Sequence, residues 1–343
     1  MKTIFIVDDS DTNLSTAEAA LEEHYRVMTM PSAEKMFDFL EKVTPDLIIL
    51  DIEMPQMDGF KALKRLKSSD QWFNIPVVFL TGRTDAEVEA NGFKMGAVDF
   101  VTKPFSAPVL LNRIKTHLAI DEIVRERTAQ LQRLQNSIVS VFANVVENRD
   151  KGTDGHVERT SAYIKILIDA MKERGVYSDE ISGWDVDKII SSARMHDLGK
   201  ISITDIIMNK PERLTDDEYE LVKTHAIEGE RIIDEIILST GEGEFLRNAR
   251  LFAGSHHERW DGNGYPRGLK GDEIPLQGRI MAIVDVYDAL VSERPYKKAF
   301  PYEDAVKIIM ESAGKHYDPQ IAEVFFQVKD LFKAIRDGQQ CDP

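Results

Sequence analysis

Hydrophobic and polar positions follow two different periods over the first third of the chain. Short apolar runs, such as residues 47–50, alternate with longer segments in which apolar residues recur every three or four positions. Continuous apolar runs fit strands buried on both faces, and their alternation with amphipathic helices predicts a parallel, doubly wound α/β sheet. The predicted strands are 3–7, 26–30, 46–51, 76–80 and 98–102, and the predicted helices begin at residues 12, 33, 59, 85 and 106.

Beyond residue 138 the pattern is helical, without strand-like alternation. From Ile120 to Val145, a stretch that overlaps the start of this region, apolar residues recur every three or four positions. We therefore expect a domain at 1–120, a helical linker at 121–145 that continues the preceding helix, and an all-α domain at 146–343. The apolar residues of this spacing form a seam along one face of the linker helix. Such a seam suits a parallel coiled coil in a homodimer, and it equally suits packing against the chain's own domains. The predicted helices of the second domain are 156–174, 185–195, 216–237, 278–291, 302–310 and 318–335.

Composition narrows the class of protein and its partners. The chain has 343 residues, of which 43% are hydrophobic and 30% charged, and a formal net charge of −16. These values fit a globular protein, and the acidic balance argues against non-specific nucleic-acid binding. No apolar run approaches the ~20 residues that span a bilayer, no signal peptide is visible, and the one cysteine, Cys341, excludes a disulfide framework. We expect a cytoplasmic protein with no DNA and no membrane partner.

Polar side chains end the predicted strands of the first domain. Asp8 and Asp9 close the first strand, and Asp51 closes the third. Thr81 follows the fourth strand and Lys103 the fifth. Because chemistry in a doubly wound sheet collects at the carboxyl ends of its strands, we expect these side chains to meet. Any one of them alone would be an ordinary loop residue, but three converging carboxylates need a cation such as Mg²⁺ among them.

This set of residues resembles the response-regulator receiver family over residues 1–120. The resemblance implies a flavodoxin-like fold in which a sensor histidine kinase phosphorylates Asp51. Asp8 and Asp9 would hold Mg²⁺, assisted by the carbonyl of Glu53. The other implied roles are phosphoryl contacts for Thr81 and Lys103, a Lys-Pro bond at Pro104 and an aromatic switch at Phe100.

Two histidine motifs carry the candidate chemistry of the second domain. One is MHDLGK at 195–200, and the other, about sixty residues later, is HHERWDGNGYP at 256–266. Adjacent imidazoles before a Gly-rich loop satisfy neither a helical nor a strand period. Neutral imidazole is the commonest protein metal ligand, so the motifs favour a metal site. A lone His-Asp pair would be a weak signal, whereas the two motifs together are a specific one.

The motifs resemble the HD-GYP family, metal-dependent phosphodiesterases that linearise cyclic di-GMP. The resemblance implies an all-α HD-type domain with two divalent transition metals that activate water for attack on phosphorus. Imidazole and carboxylate ligands suit Fe, Mn, Zn and Co alike. The implied ligands are His156, His196, Asp197 and Asp285 for one metal, and His225, His256, His257 and the bridging Asp197 for the other.

Other positions are implied around the metals. Lys200, three residues after Asp197, would contact a phosphate oxygen. Asp285 lies in a helix that is apolar nearly all round, so its carboxylate requires a cation, either an arginine or a metal. The resemblance also implies that Arg294 and Lys297 lie near the substrate. It further implies a substrate-binding turn of Gly264, Tyr265 and Pro266 that also binds diguanylate cyclases.

One position departs from the family pattern. Some members carry a Glu four residues before the histidine that matches His156, and that Glu helps to hold a third metal. Here the position is Gly152, and neither Asp150 nor Asp154 lies one helical turn from His156. We therefore expect two metals, and pGpG as the main product with only slow formation of GMP.

The sequence thus predicts a response regulator whose phosphorylation controls hydrolysis of cyclic di-GMP to pGpG. One alternative is a metal- and nucleotide-binding output module with poor turnover that acts through protein contacts. Another is an HD-type nucleotidase with a different substrate, which the intact His-His and Gly-Tyr-Pro elements disfavour.

Overall fold

The computed structural model describes residues 1–69, 71–82, 86–149, 155–293 and 298–338. It divides into two compact units, Met1–Leu131 and Gln132–Pro343. Both domain boundaries predicted from the sequence, near residues 120 and 145, fall inside a single helix, Ala107–Glu147. Over the ranges described, no helix is both long and apolar enough to cross a membrane.

The first unit is built on a five-stranded parallel sheet with strand order β2-β1-β3-β4-β5. The central strands are buried on both faces, which explains their continuous apolar runs. The predicted α/β doubly wound class is therefore confirmed. The strands are β1 Thr3–Val7, β2 Arg26–Met30, β3 Leu47–Asp51, β4 Val77–Thr81 and β5 Asp99–Thr102, and the helices between them are α1 Asp11–Leu21, α2 Ala33–Leu40, α3 Gly59–Lys67 and α4 Ala86–Lys94.

The connecting helix α5, Ala107–Glu147, is continuous over 41 residues. This confirms the prediction that one helix runs from near residue 106 into the second region. The seam residues remain exposed, from 46% at Ile138 to 66% at Leu131; they are Ile120, Val124, Leu131, Leu134, Ile138, Val141 and Val145. Val139 and Val146 are the buried apolar residues of this part of the helix. In the residues that the structure describes the seam is thus largely exposed, and its pairing in a homodimer and its packing on the chain's own domains both stay predictions.

The second unit is helical in every regular element that the structure describes, which confirms the predicted all-α fold. Its core forms where α6, α13 and α15 meet, around stacked Tyr163 and Phe332 rings with centroids 4.5 Å apart. The helices are α6 His156–Arg174, α7 Ser178–Ile181, α8 Val186–Ala193, α9 Asp205–Met208, α10 Asp216–Lys223, α11 His225–Thr240, α12 Glu244–Ser255, α13 Leu276–Val291, α14 Tyr302–Glu311 and α15 Pro319–Arg336, with 3-10 turns at Leu198–Ser202 and Gly271–Glu273.

Two predictions for the helices of this unit were wrong. The single helix predicted at 216–237 is two helices, α10 and α11, separated at Thr224. The Thr224 hydroxyl donates to the carbonyl of Leu221 at 2.6 Å, a local bond that competes with the helical pattern. Helix α12 was not predicted, although Phe245, Ala249 and Phe252 recur at helical spacing.

Candidate active site

Side chains able to bind a metal meet in two neighbouring groups of the second unit. Within each group of three, the donor atoms lie within 4.8 Å of one another. Asp197 reaches both groups, because its Oδ2 is 3.4 Å from Nε2 of His196 and its Oδ1 is 3.5 Å from Nε2 of His225. The two groups are His156, His196, Asp285 and His225, His256, His257.

A close backbone contact brings Asp197 to His225. Asp197 precedes the 3-10 turn Leu198–Ser202, and His225 is the first residue of α11. A Cβ added at Gly199 would lie 1.9 Å from the carbonyl oxygen of His225 and 2.4 Å from the backbone nitrogen of Gly229. Only glycine therefore lets the two segments approach this closely.

Three of the histidines are oriented by carbonyls of the preceding helical turn. A carbonyl can only accept, so in each ring Nδ1 carries a proton and Nε2 is the nitrogen directed at the group. The Nε2 atoms of His225 and His256 lie only 3.2 Å apart, where two lone pairs repel unless a cation lies between them. The donor set therefore fits metal ions. The Nδ1 partners are Ala193 for His196 at 2.9 Å, Val222 for His225 at 2.7 Å and Phe252 for His256 at 3.0 Å.

Burial keeps the second group of histidines in the neutral form that metals bind. Burial, together with the neighbouring imidazoles of His196 and His225, lowers the pKa of His256 to about 3. Burial also holds the pKa of His257 well below its usual range and lowers that of His225. These rings are neutral at physiological pH and need not lose a proton before they coordinate.

Asp197 is the charged centre of the cluster. Burial acts to raise its pKa, but the charges of Lys200 and His196 outweigh burial and hold the pKa well below its usual range. The Nζ atom of Lys200 lies 2.7 Å from Oδ2 of Asp197. The side chain is therefore an ionised carboxylate with one face toward each group of histidines.

The Gly-Tyr-Pro loop folds against the second group. The ring centroid of Tyr265 is 4.7 Å from that of His257, and the Tyr265 backbone N–H donates to the His257 carbonyl at 3.2 Å. Nζ of Lys223 lies 5.6 Å from the Tyr265 ring centroid. The predicted turn beside the histidines is therefore present.

A buried carboxylate that sequence reasoning missed anchors this loop. Glu258 is 1% exposed and accepts from the backbone N–H groups of Arg267 at 2.7 Å and Leu269 at 2.9 Å. A Cβ at Gly264 would lie 2.3 Å from the backbone nitrogen of Arg259, so glycine is required there. Glu258 directly follows the His-His pair, so its place in the motif was the available signal.

A second missed carboxylate lies on α13, three residues after Asp285. Asp288 is 1% exposed, and its Oδ2 accepts from Nδ1 of His156 at 2.8 Å. Nε of Arg159 donates to its Oδ1 at 2.6 Å. Asp288, like Asp285, is a carboxylate on a largely apolar helix that requires a cation, and here the cation is an arginine.

Glu147, the last residue of α5, also contacts the group that contains His156. Oε1 of Glu147 accepts from the backbone N–H of His156 at 2.9 Å, and Oε2 accepts from that of Val157 at 3.4 Å. Burial raises the pKa of Glu147. The carboxylate therefore caps the first turn of α6, at the residue that supplies an imidazole.

A cavity of about 630 Å³ adjoins the first group. Its wall combines apolar side chains of α5, α11 and α12 with His196, Asp197, Lys200 and Asp285. Two predicted substrate contacts, Arg294 and Lys297, lie outside the described residues, as do Asp150, Gly152 and Asp154.

The strand ends of the first unit form a separate site. Donor atoms of Asp8, Asp9 and Asp51 lie within 4.8 Å of one another, so the donor set suits an oxygen-liganded cation. Nζ of Lys103 lies 2.6 Å from Oδ2 of Asp8 and 2.7 Å from Oδ1 of Asp51. Burial raises the pKa of Asp51, although Lys103 and a backbone hydrogen bond from Glu53 oppose that rise.

Two other predicted residues of this unit, Thr81 and Phe100, lie on β4 and β5. Thr81 is buried at the end of β4. Phe100 is buried on β5, with ring centroids of Phe79 and Phe93 at 5.3 and 4.9 Å. The structure thus brings the three aspartates close together, places Lys103 in contact with Asp8 and Asp51, and keeps the Phe100 ring in an aromatic cluster.

Comparisons with known proteins agree with both units. The family model described as response regulator receiver domain matches residues 4–115, and that described as HD domain matches residues 140–321. Together with the fold, these matches define a response regulator with a helical output domain. The chain belongs to the HD domain family.

Three relatives show how far the similarity extends. A Vibrio cholerae protein named "Probable cyclic di-GMP phosphodiesterase" is 38% identical over 94% of this chain and 77% of its own length. The "Cyclic di-GMP phosphodiesterase response regulator RpfG" of Xanthomonas campestris is 32% identical over 97% of this chain and 89% of its own. The "3'3'-cGAMP-specific phosphodiesterase 2" of Vibrio cholerae is 34% identical over 60% of this chain and 37% of its own.

Proposed function

We propose that this chain is a metal-dependent cyclic di-GMP phosphodiesterase of the HD-GYP type, controlled by phosphorylation of its receiver. The observation that carries the proposal is the position of Asp197, whose two oxygens face different groups of imidazoles at 3.4 and 3.5 Å. A carboxylate between two ligand sets suits a two-metal phosphodiesterase. Relatives named cyclic di-GMP phosphodiesterases along most of the chain support the substrate.

In this proposal the two groups would hold two divalent transition metals, Fe, Mn, Zn or Co, and Asp197, which faces both groups, would be a ligand for either. Such ions, when bound, supply Lewis-acid activation of water and neutralise charge on the phosphodiester. Lys200 holds Asp197 ionised through its 2.7 Å contact, and its ammonium group is the proposed contact for a non-bridging phosphate oxygen. Tyr265, whose ring packs against that of His257, closes one side of the centre. Further substrate contacts by Arg294, Lys297, Gly264 and Pro266 remain predictions.

Phosphorylation of the receiver is the proposed control of phosphodiesterase activity. Asp51 accepts a phosphoryl group from a sensor histidine kinase, with Mg²⁺ held by Asp8, Asp9 and the Glu53 carbonyl. Lys103 already contacts Asp8 and Asp51, so a phosphoryl group on Asp51 would compete for its ammonium group. Thr81 and Phe100 are the proposed switch residues. Diguanylate cyclases as partners of the Gly-Tyr-Pro loop remain a prediction.

Product analysis on purified, metal-loaded protein tests the activity. We expect cyclic di-GMP to be converted mainly to pGpG, and faster than 3'3'-cGAMP. Asp197→Ala should lose bound metal and nearly all hydrolysis, because the carboxylate faces both groups. Asp169→Ala, at a half-exposed carboxylate paired with Lys165 on α6, is the control and should retain both. Undiminished turnover in Asp197→Ala would place the chemistry elsewhere. Tight nucleotide binding without turnover in the wild type would favour a binding module instead.

A further inference from the structure

The ring of His156 is oriented differently from the other candidate ligands. His196, His225 and His256 donate Nδ1–H to carbonyls three or four residues earlier in the chain. His156 is the first residue of α6, so no earlier turn of that helix offers it a carbonyl. Its Nδ1 instead meets the carboxylate of Asp288 at 2.8 Å, 132 residues further along the chain.

Asp288 is itself held in place. Arg159 binds it through two donors, Nε to Oδ1 at 2.6 Å and Nη2 to Oδ2 at 2.8 Å. The same Nη2 donates to the hydroxyl of Ser292 at 3.1 Å. This fork satisfies a carboxylate that is almost fully buried and fixes its plane. Since His156 and Arg159 lie one turn apart on α6, a single carboxylate of α13 orients both side chains.

We propose that Asp288, fixed by Arg159, is the positioning residue that holds His156 as its Nδ1–H tautomer. Nε2 is then free of a proton and directed at its group, 3.5 Å from Nε2 of His196 and 3.6 Å from Oδ1 of Asp285. This inference rests on the proposed metal centre and adds the residue that organises one half of it. A carboxylate acceptor also makes an imidazole a stronger donor to a metal than a carbonyl acceptor does.

The arrangement makes the two groups depend unequally on Asp288. Asp285 and Asp288 lie three residues apart on α13, so one helix face supplies a ligand and the acceptor that orients another ligand. In the second group, Nδ1 of His225 meets the carbonyl of Val222, and Nδ1 of His256 meets the carbonyls of Phe252 and Ala253. Loss of Asp288 should therefore weaken metal binding at the His156 group and leave the second group unaffected.

A purely structural ion pair would behave differently, and the chain offers a matched control. Asp318 is fully buried in the same unit, lies 3.0 Å from Nη1 of Arg279 and accepts from the Tyr177 hydroxyl at 2.7 Å. Asp318→Asn thus removes the charge of a buried, arginine-paired carboxylate whose partners are not candidate ligands. A loss of Mn²⁺ affinity in Asp318→Asn would therefore measure the effect of lost stability alone.

The test uses the full chain, stripped of metal and then titrated with Mn²⁺, in the wild type and in Asp288→Asn, Asp288→Ala and Asp318→Asn. In the metal-free wild type, NMR should show the Nδ1–H proton of His156 in a strong hydrogen bond, and Asp288→Ala should lose that signal. The affinity of one of two Mn²⁺ sites should fall about 10- to 100-fold in Asp288→Ala. The Mn²⁺ affinity should fall less in Asp288→Asn, which keeps an acceptor oxygen. Asp318→Asn should bind Mn²⁺ like the wild type.

Each contrary result has a distinct meaning. Equal Mn²⁺ affinity in Asp288→Ala and the wild type would overturn the positioning role while leaving the metal centre intact. An equal loss in Asp288→Ala and Asp318→Asn would overturn it too, because lost stability would explain both. A wild type that binds no Mn²⁺ would contradict the proposed metal centre itself, and this inference with it.

Discussion

Replacement of Gly199 by alanine tests whether the close approach of two backbone segments assembles the cluster. The added Cβ would lie 1.9 Å from the His225 carbonyl oxygen, whereas real Cβ contacts are essentially never under 3.0 Å. The 3-10 turn must therefore move by about 1 Å. Asp197 lies two residues before this position, so its 3.5 Å separation from Nε2 of His225 should increase.

The size of the effect follows from this displacement. Overpacking of a close contact typically costs about 1–3 kcal/mol of stability. A misplacement of about 1 Å at a reacting centre can cost about 100-fold in rate. We therefore expect Gly199→Ala to unfold at a lower temperature, to bind less metal and to hydrolyse cyclic di-GMP about 100-fold more slowly.

The matched control is Gly183→Ala, since a Cβ at Gly183 meets nothing within 4 Å. Calorimetry, elemental analysis and product chromatography on both variants supply the three readouts. If Gly199→Ala matched Gly183→Ala in metal content and turnover, the contact would not be what positions Asp197.

The receiver, the metal count and a buried histidine each give a further prediction. With a small phosphodonor and Mg²⁺, the wild type should gain one phosphoryl group and Asp51→Asn none; labelling of the variant at the wild-type level would contradict this. Protein purified without oxygen should hold two metals in the HD domain and release mainly pGpG, whereas three tightly bound metals would contradict the expectation drawn from Gly152. Burial lowers the pKa of His316 to about 4 from 6.5, so between these values the unfolded chain binds a proton that the folded chain does not. Wild-type stability should therefore fall more steeply than that of His316→Gln as the pH drops from 6.5 to about 4, and parallel unfolding profiles would refute this.

Features set by local periodicity could be predicted from the sequence. The unbroken apolar run at 47–50 placed β3 within one residue, and α6 has the predicted bounds. The break at Thr224 escaped prediction because apolar spacing continues through it, and a single hydroxyl bond to Leu221 marks the end of α10.

The candidate ligands could be proposed from motifs, but what orients them could not. His156 stands in a recognisable position, yet the acceptor for its Nδ1 lies 132 residues away on another helix. Only the packing of α6 against α13 brings the two together. Glu258 was missed for a similar reason, since its partners are backbone amides at Arg267 and Leu269, which no side-chain pattern reveals.

The contact between Glu147 and the amide of His156 makes one proton a reporter on the connecting helix. That amide is hydrogen-bonded at 2.9 Å to the final residue of α5, whereas amides deeper in α6 bond within their own helix. Its hydrogen-exchange rate therefore measures how often the last turn of α5 leaves the first turn of α6. Comparison of this rate with and without a phosphoryl group on the receiver would show, at a single atom, whether the connecting helix loosens or tightens at the candidate active site.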